Sequence, residues 1–186
     1  YGQALSSALI LESIDIPEQS QASASVTSVF LGGGFQQVAK DKRSSWGVNY
    51  GYVNLKPYFE IVKQKPDYFK IPQFHEADGN FRIKTKNGII KYYTTFSYSD
   101  LGLRRPDIDS TDIKDAFRLT NLNWYNNLSW RESLSNGWKM NLGLGYSLNR
   151  DDLKQELQNQ QNVPQTFAEP WLQNKNFTIH QKQDLS

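Results

Sequence analysis

The chain has 186 residues, enough for one domain with a sizeable core, and its formal net charge of +2 gives no reason to expect a nucleic-acid partner. It contains no cysteine, which excludes disulfides and thiolate metal sites, and no apolar run approaches the ~18–20 residues of a spanning helix. Aromatic residues nevertheless make up 13% of this polar chain. Membrane β-strands explain the combination, because alternate side chains face lipid and the others face a wet lumen.

The amino-terminal segment differs from the rest of the chain. Its first residues lack the basic and apolar stretches of a signal peptide, and residues 1–13 do not alternate. For a membrane protein this suggests that the sequence begins inside a longer protein.

The first alternating region is the weakest of three. Apolar residues spaced by two over 22–30 predict a strand, Gly32 to Gly34 permit a bend, and residues 35–40 return. A charged turn at 41–44 follows. Residues 46–52 then place Trp, Val, Tyr and Tyr on one face of another strand.

Two further hairpins are clearer. Alternation over 80–84 and 90–98 flanks Asn87-Gly88, a dipeptide typical of tight hairpin turns. The same arrangement recurs with alternation over 122–131 and 138–149 around Asn136-Gly137. The strand predicted over 138–149 is close in length to the ~9–11 residues that a tilted membrane strand needs. Together these patterns predict an all-β fold, an antiparallel transmembrane β-barrel segment of about seven strands.

The predicted connections fall into two classes of length. Those at 41–44, 87–88 and 136–137 are tight, whereas those at about 59–73, 105–117 and from 153 onward are long and polar. Bacterial outer-membrane barrels have short periplasmic turns and long outer loops. The alternation therefore favours a barrel in the bacterial outer membrane.

Two groups of side chains are candidate functional residues. Aromatics near the predicted strand ends suit the two membrane interfaces, although aromatics are also simply good strand formers: Trp46, Trp138, Tyr58, Phe59, Tyr98 and Trp124. Basic residues on predicted lumen-facing positions could attract an anionic ligand or, the better interpretation, pair with acidic residues of a domain filling the lumen: Arg82, Lys84, Lys91, Arg131 and Lys139.

Catalytic, metal and cofactor sites are not expected. His75, Glu76 and Asp78 lack the helical spacing of zinc-binding motifs and are interpreted as solvated polar residues. The acidic loop from Asp107 has Asp112 where a calcium loop needs glycine. With two histidines and no cysteine, the chain offers little from which to build an enzyme.

Residues 1–13, Tyr-Gly-Gln-Ala-Leu-Ser-Ser-Ala-Leu-Ile-Leu-Glu-Ser, resemble the end of the plug domain of TonB-dependent outer-membrane receptors. That family often has Gly-Gly where this chain has Ser6-Ser7, so the match is partial. Residues 24–29, 49–58 and 104–109 also resemble segments of the family. The order of plug end followed by barrel strands is the telling feature, and the likeness weakens after about residue 152.

The resemblance implies a division into residues 1–19 as plug end and linker, 20–152 as the first barrel strands, and 153–186 as an outer loop and the start of the next strand. It also implies a barrel of about 22 strands importing a scarce or large ligand, such as an iron chelate, vitamin, glycan or peptide. Outer-membrane lipid and TonB are the implied partners, with TonB contacting a plug region outside this chain.

Two other interpretations remain open. One is a complete small outer-membrane barrel with a structural or adhesion role. The other is a soluble carbohydrate-binding β-sandwich in which exposed Trp and Tyr side chains form sugar platforms. The sandwich predicts solubility without detergent, which distinguishes it from both membrane interpretations.

Overall fold

The computed structural model describes residues 14–63, 66–108, 110 and 112–165, and the backbone of residues 177–185. These residues form one antiparallel sheet whose strands follow one another in chain order. The elements are β1 Gln21–Val26, β2 Phe30–Val38, β3 Ser44–Asn54, α1 Lys56–Ile61, β4 Asp67–Lys84, β5 Gly88–Pro106, β6 Ile113–Ser133, β7 Lys139–Asn159 and β8 Phe177–Leu185. The all-β, antiparallel prediction is confirmed, with eight strands where about seven were expected.

The strand register sorts the side chains onto two faces, because residues paired across an antiparallel ladder point to the same side. The apolar face carries large exposed side chains: Trp46, Val48, Phe81, Tyr92, Phe96, Trp124, Leu128, Trp130, Leu142 and Leu144. The polar face carries amides, hydroxyls and charges: Asn49, Asp78, Asn80, Arg82, Lys91, Ser97, Asn123, Ser129, Arg131 and Asn141.

The sheet has almost no interior. In the described part of the chain only four apolar residues are buried, namely Val38, Ile89, Ala116 and Leu157. Leu144, by contrast, is 67% exposed in the middle of a long strand. Hydrophobic burial within the described residues therefore contributes little to stability, and the described residues leave a broad apolar face exposed.

The exposed apolar side chains form a band of limited height, which we call the apolar band. It runs over Ile90–Tyr98 on β5 and Leu122–Trp130 on β6, with matching residues on β3, β4 and β7. At about 3.3 Å per residue each span is roughly 30 Å long. A tilt of about 40° would reduce the height to about 23 Å, close to the ~25 Å band of membrane barrels.

The pattern inverts where the band ends. On β5 the apolar face carries Tyr98 and then Asp100, while Leu101 and Leu103 occupy the polar face. Leu119, Phe117 and Leu153 lie on that same face as cross-strand partners of these leucines and of one another. The strands thus continue past the band with their apolar and charged sides exchanged.

The turns at one end of the sheet agree with the predicted positions. Asn136 and Gly137 both have positive φ, of 62° and 80°, as their sequence suggested. At the β4–β5 turn the chain reverses over residues 85–87, and Gly88 begins β5 with ordinary φ. Glycine is required there for a different reason, since a Cβ would overlap the carbonyl oxygen of Arg131 on β6.

Two local predictions were wrong. Gly32 to Gly34 do not bend the chain but lie within β2, and the turn falls at residues 27–29, where Thr27 Oγ1 accepts the amide of Phe30. The long connections are shorter than expected, because residues 67–73, 105–106, 113–117 and 153–159 are strand. The helix α1 was not foreseen. The predicted plug end, residues 1–13, lies outside the described residues.

Candidate functional site

The five basic residues predicted to face a lumen share the polar face near the short-turn end of the sheet. Arg82 lies opposite Lys91, and Lys84 and Arg131 flank Ile89 from the neighbouring strands. Lys139 begins β7 on the same face, opposite Ser133. Strand register brings together positions that are far apart in the sequence, and we call this group the basic cluster.

An acidic side chain from the segment before β1 reaches the basic cluster. One carboxylate oxygen of Asp15, Oδ1, lies 2.7 Å from Lys91 Nζ and 2.9 Å from Arg131 Nη2. The same segment is fixed at a second place, where Ser20 Oγ accepts the amide of Val38 at 2.9 Å. Residues 14–20 therefore lie against the polar face, and their acid meets the cations of β5 and β6.

The electrostatics of Asp15 follow from this position. The hydrogen bond from Lys91 lowers the pKa of the Asp15 carboxyl, and the charges of Lys91, Arg131 and Lys84 act in the same direction. Asp15, Lys84, Arg131 and Lys139 also line an open cavity of about 480 Å³. Arg82 is held differently, since its Nη1 donates to Asn80 Oδ1 at 2.7 Å.

The aromatic residues at the far end of the apolar band form a cluster that sequence alone did not reveal. Tyr50 Oη lies 2.8 Å from His75 Nδ1, and the rings of Tyr52 and Tyr98 lie 4.7 and 6.1 Å from the histidine ring. Tyr98 was a predicted interface residue. Tyr50, Tyr52 and His75 join it only through the β3–β4–β5 register, which the sequence does not show.

The other predicted interface aromatics occupy three settings. Trp46 lies on the apolar face near the short-turn end and packs on Phe35 at 5.4 Å between ring centroids, while Trp138 is largely exposed just before β7. Tyr58 and Phe59 lie on α1, beyond the ends of the strands, where Phe59 packs on Tyr68. Trp124 lies within the band, close to its far edge.

Two polar contacts inside the apolar band join side chains on the same face, although Asn126 Nδ2 is buried and, within the described residues, has no hydrogen-bond partner. Trp124 Nε1 donates to Thr94 Oγ1 at 3.0 Å, and Tyr92 Oη donates to Asn126 Oδ1 at 2.7 Å. At the short-turn edge Trp130 Nε1 donates to Glu132 Oε2 at 3.1 Å. Such pairing reduces the cost of placing these groups in an apolar medium.

The residues His75, Glu76 and Asp78, close in sequence on β4, are divided between the two faces of the sheet. His75 lies on the apolar face, whereas Glu76 and Asp78 have different surroundings, with Asp78 bonded to Asn49 on the polar face. Over the described residues, no group of three or more His, Cys, Asp or Glu side chains is placed to hold a metal ion. Within the same part of the chain, no helix has the length and apolar character needed to cross a membrane.

Compared with models of protein families, with curated proteins and with solved structures, the chain shows no significant match to any of them.

Proposed function

We propose that this chain forms part of the wall of an outer-membrane transport barrel of the TonB-dependent receptor type. In this proposal the apolar face contacts lipid, the polar face lines the lumen, and residues 14–20 lie on the lumen side. The transported ligand belongs to a class too large or too scarce for simple diffusion. The chain has no catalytic role in it.

One observation carries the membrane half of the proposal, namely the exposed apolar band. The band is continuous across β3 to β7, contains residues as apolar as Leu128, Leu142 and Leu144, and at a strand tilt of about 40° would have nearly the ~25 Å height of the apolar band of membrane barrels. In water such a surface would be an aggregation site, since it far exceeds the apolar patches of ordinary monomers.

The transport half is supported by the resemblance of residues 1–13 to a plug end and by the contacts of Asp15. A globular plug entering a barrel would place its last residues against the lumen side of the first strands. The contacts of Asp15 with Lys91 on β5 and Arg131 on β6, on the polar face of the sheet, are consistent with such a position.

The described residues favour this proposal over the two alternatives. A carbohydrate-binding sandwich needs a second sheet to cover the apolar face, and the described residues form one sheet. A small closed barrel needs its first and last strands to pair, whereas in the described pairings β1 contacts β2 and β8 contacts β7.

The decisive experiment compares single-tryptophan variants of the chain refolded with phosphatidylcholine. One variant keeps Trp130 on the apolar face and has phenylalanine at the other tryptophan positions. Its matched control has Trp130→Phe and Ser129→Trp, which moves the reporter by one residue to the polar face. We expect brominated lipid to quench Trp130 strongly and the control weakly, with iodide in water giving the reverse order.

A different result would overturn the proposal. If the chain is a soluble monomer that unfolds cooperatively without detergent, and neither reporter is quenched by brominated lipid, the apolar face does not contact membrane. The soluble sugar-binding interpretation would then replace it.

A further inference from the structure

The apolar face changes from apolar to basic immediately beyond the apolar band. Lys70 on β4 lies opposite Gly102 on β5, Gly102 opposite Arg118 on β6, and Arg118 opposite Lys154 on β7. We call Lys70, Arg118 and Lys154 the cationic row. It lies on the same face as the tyrosines that end the band, and on the side of the long connections.

The acid that neutralises part of this row lies beneath it. Asp100 is 4% exposed and receives two hydrogen bonds from Arg118, from Nε at 3.1 Å and from Nη2 at 3.0 Å. The same carboxylate lies 3.4 Å from Lys70 Nζ. The Asp100 carboxylate therefore pairs with two cations, and the side chain of Arg118 remains 51% exposed above it.

The same layering recurs on β7. Lys154 is 60% exposed and pairs with the less exposed Glu156 at 2.6 Å, and Arg150 pairs with the less exposed Asp152 at 3.0 Å. In each pair the cation is the partner nearer the solvent. The outermost charges of β7 on this face are consequently cationic, whereas at the β4 edge the more exposed partner is Asp67, which pairs with Arg104 and Lys114.

Two cations of the row stand next to each other, although each has an acidic partner, Asp100 for Arg118 and Glu156 for Lys154. Arg118 and Lys154 are direct cross-strand partners, and like charges in that position destabilise a sheet. An anion bridging the two side chains would replace the repulsion with two attractions. Guanidinium and ammonium groups side by side are also a suitable donor set for phosphate oxygens.

Gly102, which lies in the cationic row between Lys70 and Arg118, leaves room for an aromatic ring next to the backbone. A Cβ on Gly102 would overlap the ring of Phe69, which lies over this glycine between Lys70 and Arg118. The guanidinium of Arg104 stacks on the other part of the same ring, 4.6 Å from its centroid. An aromatic ring thus sits among the cations, as at the level where hydrocarbon gives way to headgroups.

We infer that the cationic row binds the phosphate of an anionic membrane lipid whose acyl chains lie along the apolar band. This inference rests on the proposed function, because it takes the apolar band to be the surface that contacts the acyl chains. The cationic row directly follows the apolar band on the same face. A lipid whose acyl chains lie along the band would therefore bring its phosphate to the row, which a free anion would not need the band to do.

The test uses the chain with Trp124, near the far edge of the band, as its sole tryptophan. The chain is refolded into vesicles in which either phosphatidylglycerol or phosphatidylcholine carries bromine, at equal mole fraction. We expect phosphatidylglycerol to associate more strongly by about five-fold, the order expected for one basic side chain near anionic lipid, and salt to reduce the difference.

Variants of the chain test whether the preference for phosphatidylglycerol comes from the cationic row or from general electrostatic attraction. Lys154→Gln leaves the Asp100 contacts in place and should remove most of the preference, whereas Arg118→Lys retains the charge and should keep it. The control is Lys40→Gln with Lys86→Gln, which removes two exposed lysines at the opposite end of the sheet. The control should keep the preference.

Each alternative outcome has a distinct meaning. Equal quenching by both lipids, or equal loss in Lys154→Gln and the control, would overturn the cationic row while leaving the membrane proposal intact. If inorganic phosphate abolishes the preference at an ionic strength where chloride does not, the site takes a free anion and the inference is wrong. Absence of quenching by either lipid would instead contradict the proposed function itself.

Discussion

At the scale of single residues, two glycines on the strands that flank β6 differ in whether they tolerate a side chain: Gly88 on β5 and Gly143 on β7. A Cβ at Gly88 would overlap the backbone oxygen of Arg131, while a Cβ at Gly143 would meet nothing within 4 Å. Backbone cannot yield as a flexible side chain does, so the first site requires glycine and the second does not.

Gly88→Ala should therefore lower the free energy of unfolding by about 1–3 kcal/mol, the cost of overpacking. Gly143→Ala, the matched control, should change it by less than about 0.5 kcal/mol. Urea unfolding of the detergent-refolded chain, followed by tryptophan fluorescence, measures both. Equal effects at the two positions would show that the β5–β6 approach at Gly88 is not as close as described.

The Asp15 contacts make a prediction about pH. Since Lys91 and Arg131 lower the pKa of this carboxyl, the ion pairs stabilise the folded chain at pH values above the unfolded pKa of about 3.9. The contribution is lost as the pH falls through the lower, folded pKa. Because Asp15 is largely exposed, its size is at most about 1 kcal/mol.

Asp15→Asn should be less stable than the wild type at neutral pH, and the two should converge in the acid region below about pH 4. Glu18→Gln, in the same segment, is the control for general loss of negative charge. Unfolding free energies measured at a series of pH values test this. A difference that stays constant down to pH 2 would show that the carboxylate does not form these pairs.

At the scale of elements, the alternating pattern was sufficient to predict the central parts of β3, β5, β6 and β7. It failed beyond the band for a physical reason. At Asp100 the charged side chains move to the apolar face and the leucines to the other, so a strand that continues looks like a polar loop. Asp100 and Arg118 meet only because of the register, which no local pattern contains.

Register also explains what could be predicted of the basic cluster. The polar-face positions of Arg82, Lys91 and Arg131 follow from their spacing within each strand. Lys91 and Arg131 alone of these three contact Asp15, and the Arg131 contact joins residues more than a hundred positions apart in the sequence. The sequence predicted pairing with acidic residues of a domain that fills the lumen, and within the described residues the acid found at the cluster is Asp15, in the segment before β1.

The apolar band makes its own prediction at the level of one strand. Leu144 is 67% exposed, so in a water-soluble protein Leu144→Lys would be neutral or favourable. If the band faces lipid, the same change should reduce the stability of the folded chain in vesicles by about 2–4 kcal/mol. The fraction folded in phosphatidylcholine vesicles across a urea series measures this.

Ser129→Lys is the matched control for that change. Ser129 is the cross-strand neighbour of Gly143 and lies at the same level of the sheet as Leu144, on the polar face. A lysine there should alter stability by less than about 0.5 kcal/mol. Equal losses at the two positions would indicate a general sensitivity to charge, and no loss at either would argue against lipid contact.

At the scale of the whole molecule, the open edges of the sheet limit what this chain does alone. In the described pairings, β1 contacts only β2 and β8 contacts only β7, so each leaves a row of backbone donors and acceptors without a strand partner. In hydrocarbon such groups cost several kcal/mol each. If the sheet lies in a bilayer, as proposed, these two edges would need further strand pairing.

The isolated chain should consequently form no stable closed pore. We expect no discrete single-channel conductance in planar bilayers and no heat-modifiable migration on gels, because both require a closed and cooperative barrel. Tryptophan quenching by brominated lipid should still occur, since it needs only the apolar face. Discrete conductance steps from this chain alone would show that β1 and β8 meet, either within one chain or between copies, and that the wall is complete without additional strands.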